Sequence, residues 1–124
     1  MNLVDSSGWL EYFSAGPNAN FFAPVIKDTV HLIVPVICVY EVFKRILQQQ
    51  GLSAAETNIA DLYNGELVSL TPSLAISAAV ISDKRKLPMA DSFILAVARA
   101  YQAVLWTQDE HFMDVEGVQY IAKN

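Results

Sequence analysis

A chain of 124 residues is the size of about one domain and can bury a proper core. Its apolar fraction of 53% and mean hydropathy of +0.30 are high, yet no apolar run approaches the roughly 18 residues of a membrane span. The net charge of −5 argues against a nucleic-acid partner, unless bound cations neutralise four of the thirteen acids and leave eight cations against nine.

Asn2-Leu3-Val4 is a short strand that stops at Asp5-Ser6-Ser7, three residues of the helix-cap type, and Gly8 to Phe13 follow as a brief helix. No basic stretch precedes an apolar one at Met1 to Asp5, so a secretory leader is not expected. Gly16-Pro17-Asn18 reads as a turn, and Phe21 to Asp28 as a helix whose Pro24 fits the first turn. Val30 to Val34 is a β-rich run ended by Pro35. From Val36 to Gln50 the stripe Val36, Val39, Tyr40, Phe43, Leu47 predicts a helix, with Gly51 as its stop. A second helix spans Ser53 to Asn64, opened by a Ser53-x-x-Glu56 capping box and closed by Gly65. Glu66 to Leu70 is a third strand. Thr71-Pro72 starts a helix through Ser82, and Asp83-Lys84-Arg85-Lys86 is a charged break. The stretch Leu87 to Phe112 holds a helix with Asp91 in its first turns, the strand Val104 to Trp106, and a short turn of helix from Thr107. A last strand covers Val118 to Ala122. Strands and helices alternate throughout, which predicts one α/β domain over residues 1–124, a three-layer α/β/α sandwich with a mainly parallel central sheet.

In such sheets ligands sit beyond the carboxyl ends of the strands. Asp5 and Asp109 fall at two such ends, and Glu41 and Asp91 lie early in the helices after Pro35 and Pro88. Four clustered carboxylates repel unless a cation intervenes, and the hard ions Mg²⁺ and Mn²⁺ suit oxygen donors. Each acid also has an ordinary reading. Asp5 caps a helix, Glu41 pairs with Arg45 one turn on, Asp91 complements a helix dipole, and Thr107-x-x-Glu110 is a capping box that leaves Asp109 a bystander.

Taken together, the motifs resemble the PIN-domain ribonucleases, and among them the VapC-type toxins of toxin–antitoxin pairs. They are Asn-Leu-Val-Asp-Ser-Ser at Asn2 to Ser7, Pro-Val-x-x-x-Tyr-Glu at Pro35 to Glu41, Leu-Pro-x-Ala-Asp-x-x-Ile-Leu-Ala-x-Ala at Leu87 to Ala98, and Leu-Trp-Thr-Gln-Asp-Glu-His-Phe at Leu105 to Phe112. The resemblance implies that Asp5, Glu41, Asp91 and Asp109 hold metal, that Ser6 and Thr107 support the site, and that Glu110 or Asp114 are alternates for the fourth acid. It further implies a Mg²⁺- or Mn²⁺-dependent endoribonuclease, using one or two ions, that cuts structured RNA such as tRNA or rRNA. The implied partners are a VapB-type antitoxin and a second copy of the chain in a homodimer, with no membrane and no direct DNA contact.

Weaker candidates remain. Lys84, Arg85 and Lys86 are phosphate-binding or simply solvated, Arg99 is a partner for another chain, and His111 is a proton carrier or an exposed side chain. Cys38 reads as a buried apolar filler, and Trp9, Tyr12 and Phe13 as core or as base-stacking residues. With one cysteine there is no internal disulfide, and a reducing cytoplasm is expected. Two rival functions are a PIN-fold binding module without catalysis and a receiver-type phosphorelay domain. The latter needs an Asp after the central strand, about Gly51 to Glu56, where none occurs.

Overall fold

The computed structural model describes residues 1–124. Five strands, β1 (Asn2–Val4), β2 (Leu32–Pro35), β3 (Glu66–Val68), β4 (Val104–Thr107) and β5 (Gln119–Tyr120), form one sheet in the order β3-β2-β1-β4-β5. Every pairing is parallel, with Leu3 opposite Ile33 and Leu105 at the centre. Six helices connect them: α1 (Ser6–Phe13), α2 (Ala19–Lys27), α3 (Val36–Gln50), α4 (Leu52–Leu62), α5 (Pro72–Arg85) and α6 (Met89–Ala100).

Successive strand residues point to opposite faces, and this alternation divides the core. Leu3, Ile33 and Leu105 pack with α5 and α6, whereas Val4, Leu32 and Val34 pack with α1, α2 and α4. The central α3 contributes to both layers, through Cys38 on one side and Val42 and Ile46 on the other. Gly8 sits where α1 meets β1 and α2. A Cβ there would lie 2.6 Å from Val4 Cγ1 and 2.7 Å from Phe22 Cε1, so only a hydrogen fits.

The predicted helix Val36–Gln50 is found with those bounds, and the Thr71 hydroxyl accepts the Leu74 N–H as a cap. Other boundaries differ for local reasons. The β-rich Val30 is 80% exposed and belongs to a 3-10 turn, Thr29–His31, in which the Asp28 carbonyl accepts the His31 N–H. Pro24 lies inside α2 rather than in its first turn. Its ring faces solvent, while Phe22, Val25 and Ile26 on the other face are buried and offset the lost hydrogen bond. Ser53 does not cap α4, because the helix begins directly after Gly51; the Ser53 carbonyl instead accepts the Thr57 hydroxyl. Asp83, Lys84 and Arg85 continue α5, and the break comes one residue later, at Lys86, which adopts a left-handed conformation with φ 57°. The strand order 3-2-1-4-5 also differs from the 2-1-3-4-5 order of a receiver domain.

Candidate active site

The chain leaves neighbouring strands β1 and β4 in opposite directions, which opens a crevice at their carboxyl ends. Asp5 sits directly beyond β1, with its N–H donating to the Trp106 carbonyl at 3.2 Å. Its side chain is the N-cap of α1. Oδ1 accepts from Gly8 N (3.0 Å) and the Ser7 hydroxyl (2.7 Å), and Oδ2 accepts from the Thr107 hydroxyl at 2.6 Å. Asp5 is only 2% exposed. Burial pushes its pKa up to about 6 despite these three donors, and the nearby charge of Asp109 adds to the rise.

Asp91 lies in the first turn of α6 and Asp109 just past β4. Between them stands His111, whose Nδ1 is 2.8 Å from Asp91 Oδ2 and 3.3 Å from Asp109 Oδ1. One donor atom from each of Asp91, Asp109 and His111 falls within 4.8 Å of the others. Burial raises the Asp91 carboxyl above the usual range, partly opposed by the hydrogen bond to His111. That same hydrogen bond, followed by the charge of Asp109, raises His111. An imidazolium between two carboxylates occupies the kind of position a metal cation would take.

Glu41 approaches from α3, where its Oε1 accepts the Ser6 hydroxyl at 2.6 Å, and its charge weighs on Asp91. No ion pair joins Glu41 to Arg45, so the intrahelical reading of Glu41 is overturned. Nor does Thr107 form a capping box with Glu110. It is the last residue of β4, and its hydroxyl donates to Asp5 while accepting the Asp109 N–H at 2.9 Å. Asp109 itself caps the following turn by accepting the His111 N–H. For Asp5 and Asp109, cap and site are therefore not alternatives: the cap bonds are what aim these carboxylates at the crevice.

The structure thus brings Asp91 and Asp109 into one tight group with His111, and holds Asp5 and Glu41 at its margin. Glu110 and Asp114 are exposed and give no atom to that group. Cys38 is fully buried beside Asp5, Glu41 and Asp91; burial above all holds its thiol neutral, so it fills space. Trp9 is fully buried in the core. Lys86 makes an exposed pair with Asp83 at 3.9 Å, of little energetic value, and Arg99 closes the far end of α6. Sequence reasoning gave no site role to Asn18 and Gln108. Both are buried and bonded to one another at 3.0 Å across ninety positions of chain, a contact with no local signature.

Two carboxylates and an imidazole within ligand reach of one another, those of Asp91, Asp109 and His111, suit a divalent cation. A buried, charge-repelled Asp5 points the same way. The residues present therefore fit a divalent ion.

The PIN domain profile matches residues 3–118, and the chain belongs to the PIN-domain family. A search of curated proteins by sequence found no match. Among solved structures, the chain is similar to a toxin–antitoxin complex from Klebsiella pneumoniae (TM-score 0.77, 21% identity, 95% of each chain covered). It is also similar to VapC20 of Mycobacterium tuberculosis, a Sarcin-Ricin loop cleaving toxin (TM-score 0.77, 19% identity, 96% of this chain and 98% of that one). A third is FitAcB from Neisseria gonorrhoeae (TM-score 0.76, 19% identity, 98% and 96%). At these identities the likeness is one of fold.

Proposed function

We propose that residues 1–124 act as one PIN domain with the activity of a VapC-type toxin, a metal-dependent endoribonuclease. The observation that carries this reading is the meeting of Asp91, Asp109 and His111 donor atoms within 4.8 Å, beside a buried Asp5 locked by three hydrogen bonds. Mg²⁺ or Mn²⁺, when bound, supplies Lewis-acid stabilisation of phosphate charge and acidifies water for in-line attack. Asp91 and Asp109 are the direct holders, with Asp5 and Glu41 completing the negative shell. Ser7 and Thr107 orient Asp5, and Ser6 orients Glu41. His111 must give up its proton or swing aside when the carboxylates take a cation. Its 51% exposed side chain has room to do so. Of Asp109, Glu110 and Asp114, Asp109 is the fourth acid in this proposal, and the solvent exposure of Glu110 and Asp114 supports that choice.

The substrate class is structured RNA, in keeping with the loop-cleaving activity that the name of the Mycobacterium tuberculosis relative records. The partners are a VapB-type antitoxin, whose arginine suits an acidic cleft, and a second copy of the chain. Exposed Met89 (71%) lines an apolar groove between α5 and α6, and with exposed Ile76 (68%) and Val80 (49%) of α5 it supports the homodimer. No helix is long and apolar enough to cross a membrane, and action in the cytoplasm is part of the same proposal.

The test is cleavage of total tRNA and of a sarcin–ricin loop RNA with Mn²⁺, with Mg²⁺ and with EDTA, by wild type and Asp5→Ala. Metal-dependent cutting by wild type alone is expected. Equal cutting by Asp5→Ala, or none with either metal, refutes the enzyme and leaves a PIN-fold binding module.

A further inference from the structure

Beside the acids runs a second trough, polar and open, that the chemistry described so far does not use. Its volume is about 360 Å³, and it lies between α1 and the C-terminal half of α3. Gln108 and Lys123 line both this trough and the depression of about 570 Å³ that holds Asp109 and His111, so the two are continuous. Along α3 the residues Glu41, Arg45 and Gln49 share one row at four-residue spacing. Glu41 faces the acids, and Arg45 and Gln49 enter the trough four and eight residues further on, about 6 Å for each four-residue step.

Charge is distributed unevenly here. The chain has eight Lys and Arg residues, and two of them, Arg45 and Lys123, line this trough. Neither is engaged in an ion pair. The one acid in the trough, Glu11, is engaged by two donors: Oε2 accepts the Asn18 N–H at 2.7 Å, and Oε1 accepts from Gln108 Nε2 at 3.4 Å. Lys123 is held in place from below. The buried Asn18 donates to the Ala122 carbonyl at 3.0 Å and accepts from the Asn124 side-chain amide, Nδ2, at 3.2 Å, which ties down the residues on both sides of Lys123. A buried asparagine that bonds both chain neighbours of one exposed lysine, and Gln108 besides, places the segment that carries that lysine.

We propose that this trough is the track for the RNA strand next to the bond that is cut, with Arg45 and Lys123 each taking a backbone phosphate and Asn18 as the positioning residue for Lys123. The inference rests on the nuclease reading for its substrate class but is tested by binding. A net acidic chain then grips RNA through local charge, with Gln49, Gln50 and Ser14 offering neutral hydrogen-bonding groups along the strand.

The experiment measures fluorescence anisotropy of a fluorescein-labelled single-stranded RNA of about ten nucleotides, in EDTA to prevent metal-dependent cutting, over KCl from about 50 to 200 mM. Arg45→Gln and Lys123→Gln, both exposed and safe for the fold, are each expected to reduce the slope of log Kd against log salt by about 0.7, and the double variant by about 1.4. Asn18→Ala reduces it by no more than Lys123→Gln, and adds nothing to that variant. Lys27→Gln, on the outer end of α2, leaves the slope unchanged. With Mn²⁺ present, the trough variants raise KM for RNA more than they lower kcat. Slopes equal to wild type in both trough variants, no RNA binding by wild type, or displacement of RNA by poly-glutamate at equal concentration each overturn the assignment; the last marks a site for an acidic protein segment. Wild type that cleaves while the slopes stay equal removes the track and keeps the nuclease. Altered slopes without cleavage do the reverse.

Discussion

Replacing Asp5 with Asn should stabilise the metal-free protein at neutral pH, although it removes a site acid. Burial raises the Asp5 pKa from 3.8 to about 6. Because the folded value lies above the unfolded one, the favourable contribution of the protonated acid is complete below about pH 3.8 and is lost as pH rises through about 6. At pH 8 the charged carboxylate therefore costs the fold about 3 kcal/mol, since each tenfold change in proton affinity is worth about 1.36 kcal/mol. Asparagine keeps an acceptor for Gly8 and Ser7 but presents an amide to the Thr107 hydroxyl, a loss of about 1 kcal/mol. The net gain of about 2 kcal/mol corresponds to roughly 5–10 °C in Tm for a chain of this size. At pH 5 the wild type has recovered about 1.4 kcal/mol, so the gap narrows by that amount. Urea unfolding of both proteins at pH 8 and pH 5 in EDTA measures the difference, and the constant hydrogen-bond loss cancels between the two pH values. With Mn²⁺ at about 100 times its Kd the wild type gains about 2.7 kcal/mol by linkage and the order reverses. An Asn variant less stable than wild type at pH 8 without metal, or a gap unchanged between the two pH values, would refute the account of Asp5 as a strained site acid.

Asp91→Asn should leave metal-free stability within about 1 kcal/mol of wild type and abolish the rise in Tm on adding Mn²⁺, as read by calorimetric titration and thermal melts. His111→Ala should flatten the loss of Mn²⁺ affinity between pH 8 and pH 6, because the imidazolium that competes for Asp91 and Asp109 is gone; titrations at both pH values show it. Gly8→Ala should destabilise by about 1–3 kcal/mol, since the added Cβ meets buried Val4 and Phe22. That outweighs the roughly 1 kcal/mol by which alanine favours helix over glycine, and the denaturant midpoint decides it. Val80→Glu, on the exposed α5 face, should convert a dimer to monomer in sedimentation without changing the melting cooperativity.

Much of this was legible along the chain because its signals are local. The α3 stripe, the proline that ends β2 and the Thr71 cap set element bounds through interactions within a few residues. The alternation of strands and helices implied a parallel sheet, since parallel neighbours require crossovers, and it placed Asp5 and Asp109 at strand ends. The failures are equally physical. Val30 reads as strand by propensity, but the bond from the His31 N–H to the Asp28 carbonyl closes a tight turn around it. Thr107 and Glu110 have capping-box spacing, yet the Thr107 hydroxyl is claimed by Asp5, 102 positions away. Glu41 and Arg45 have ion-pair spacing, yet Ser6 takes the carboxylate and frees the cation for the trough. Residue types and their local periods thus determined the layers and delivered four acids to one end of a sheet. Only the tertiary structure decided which of them share a site, because side-chain hydrogen bonds between distant segments are set by sheet order and helix packing, and neither leaves a mark in local spacing.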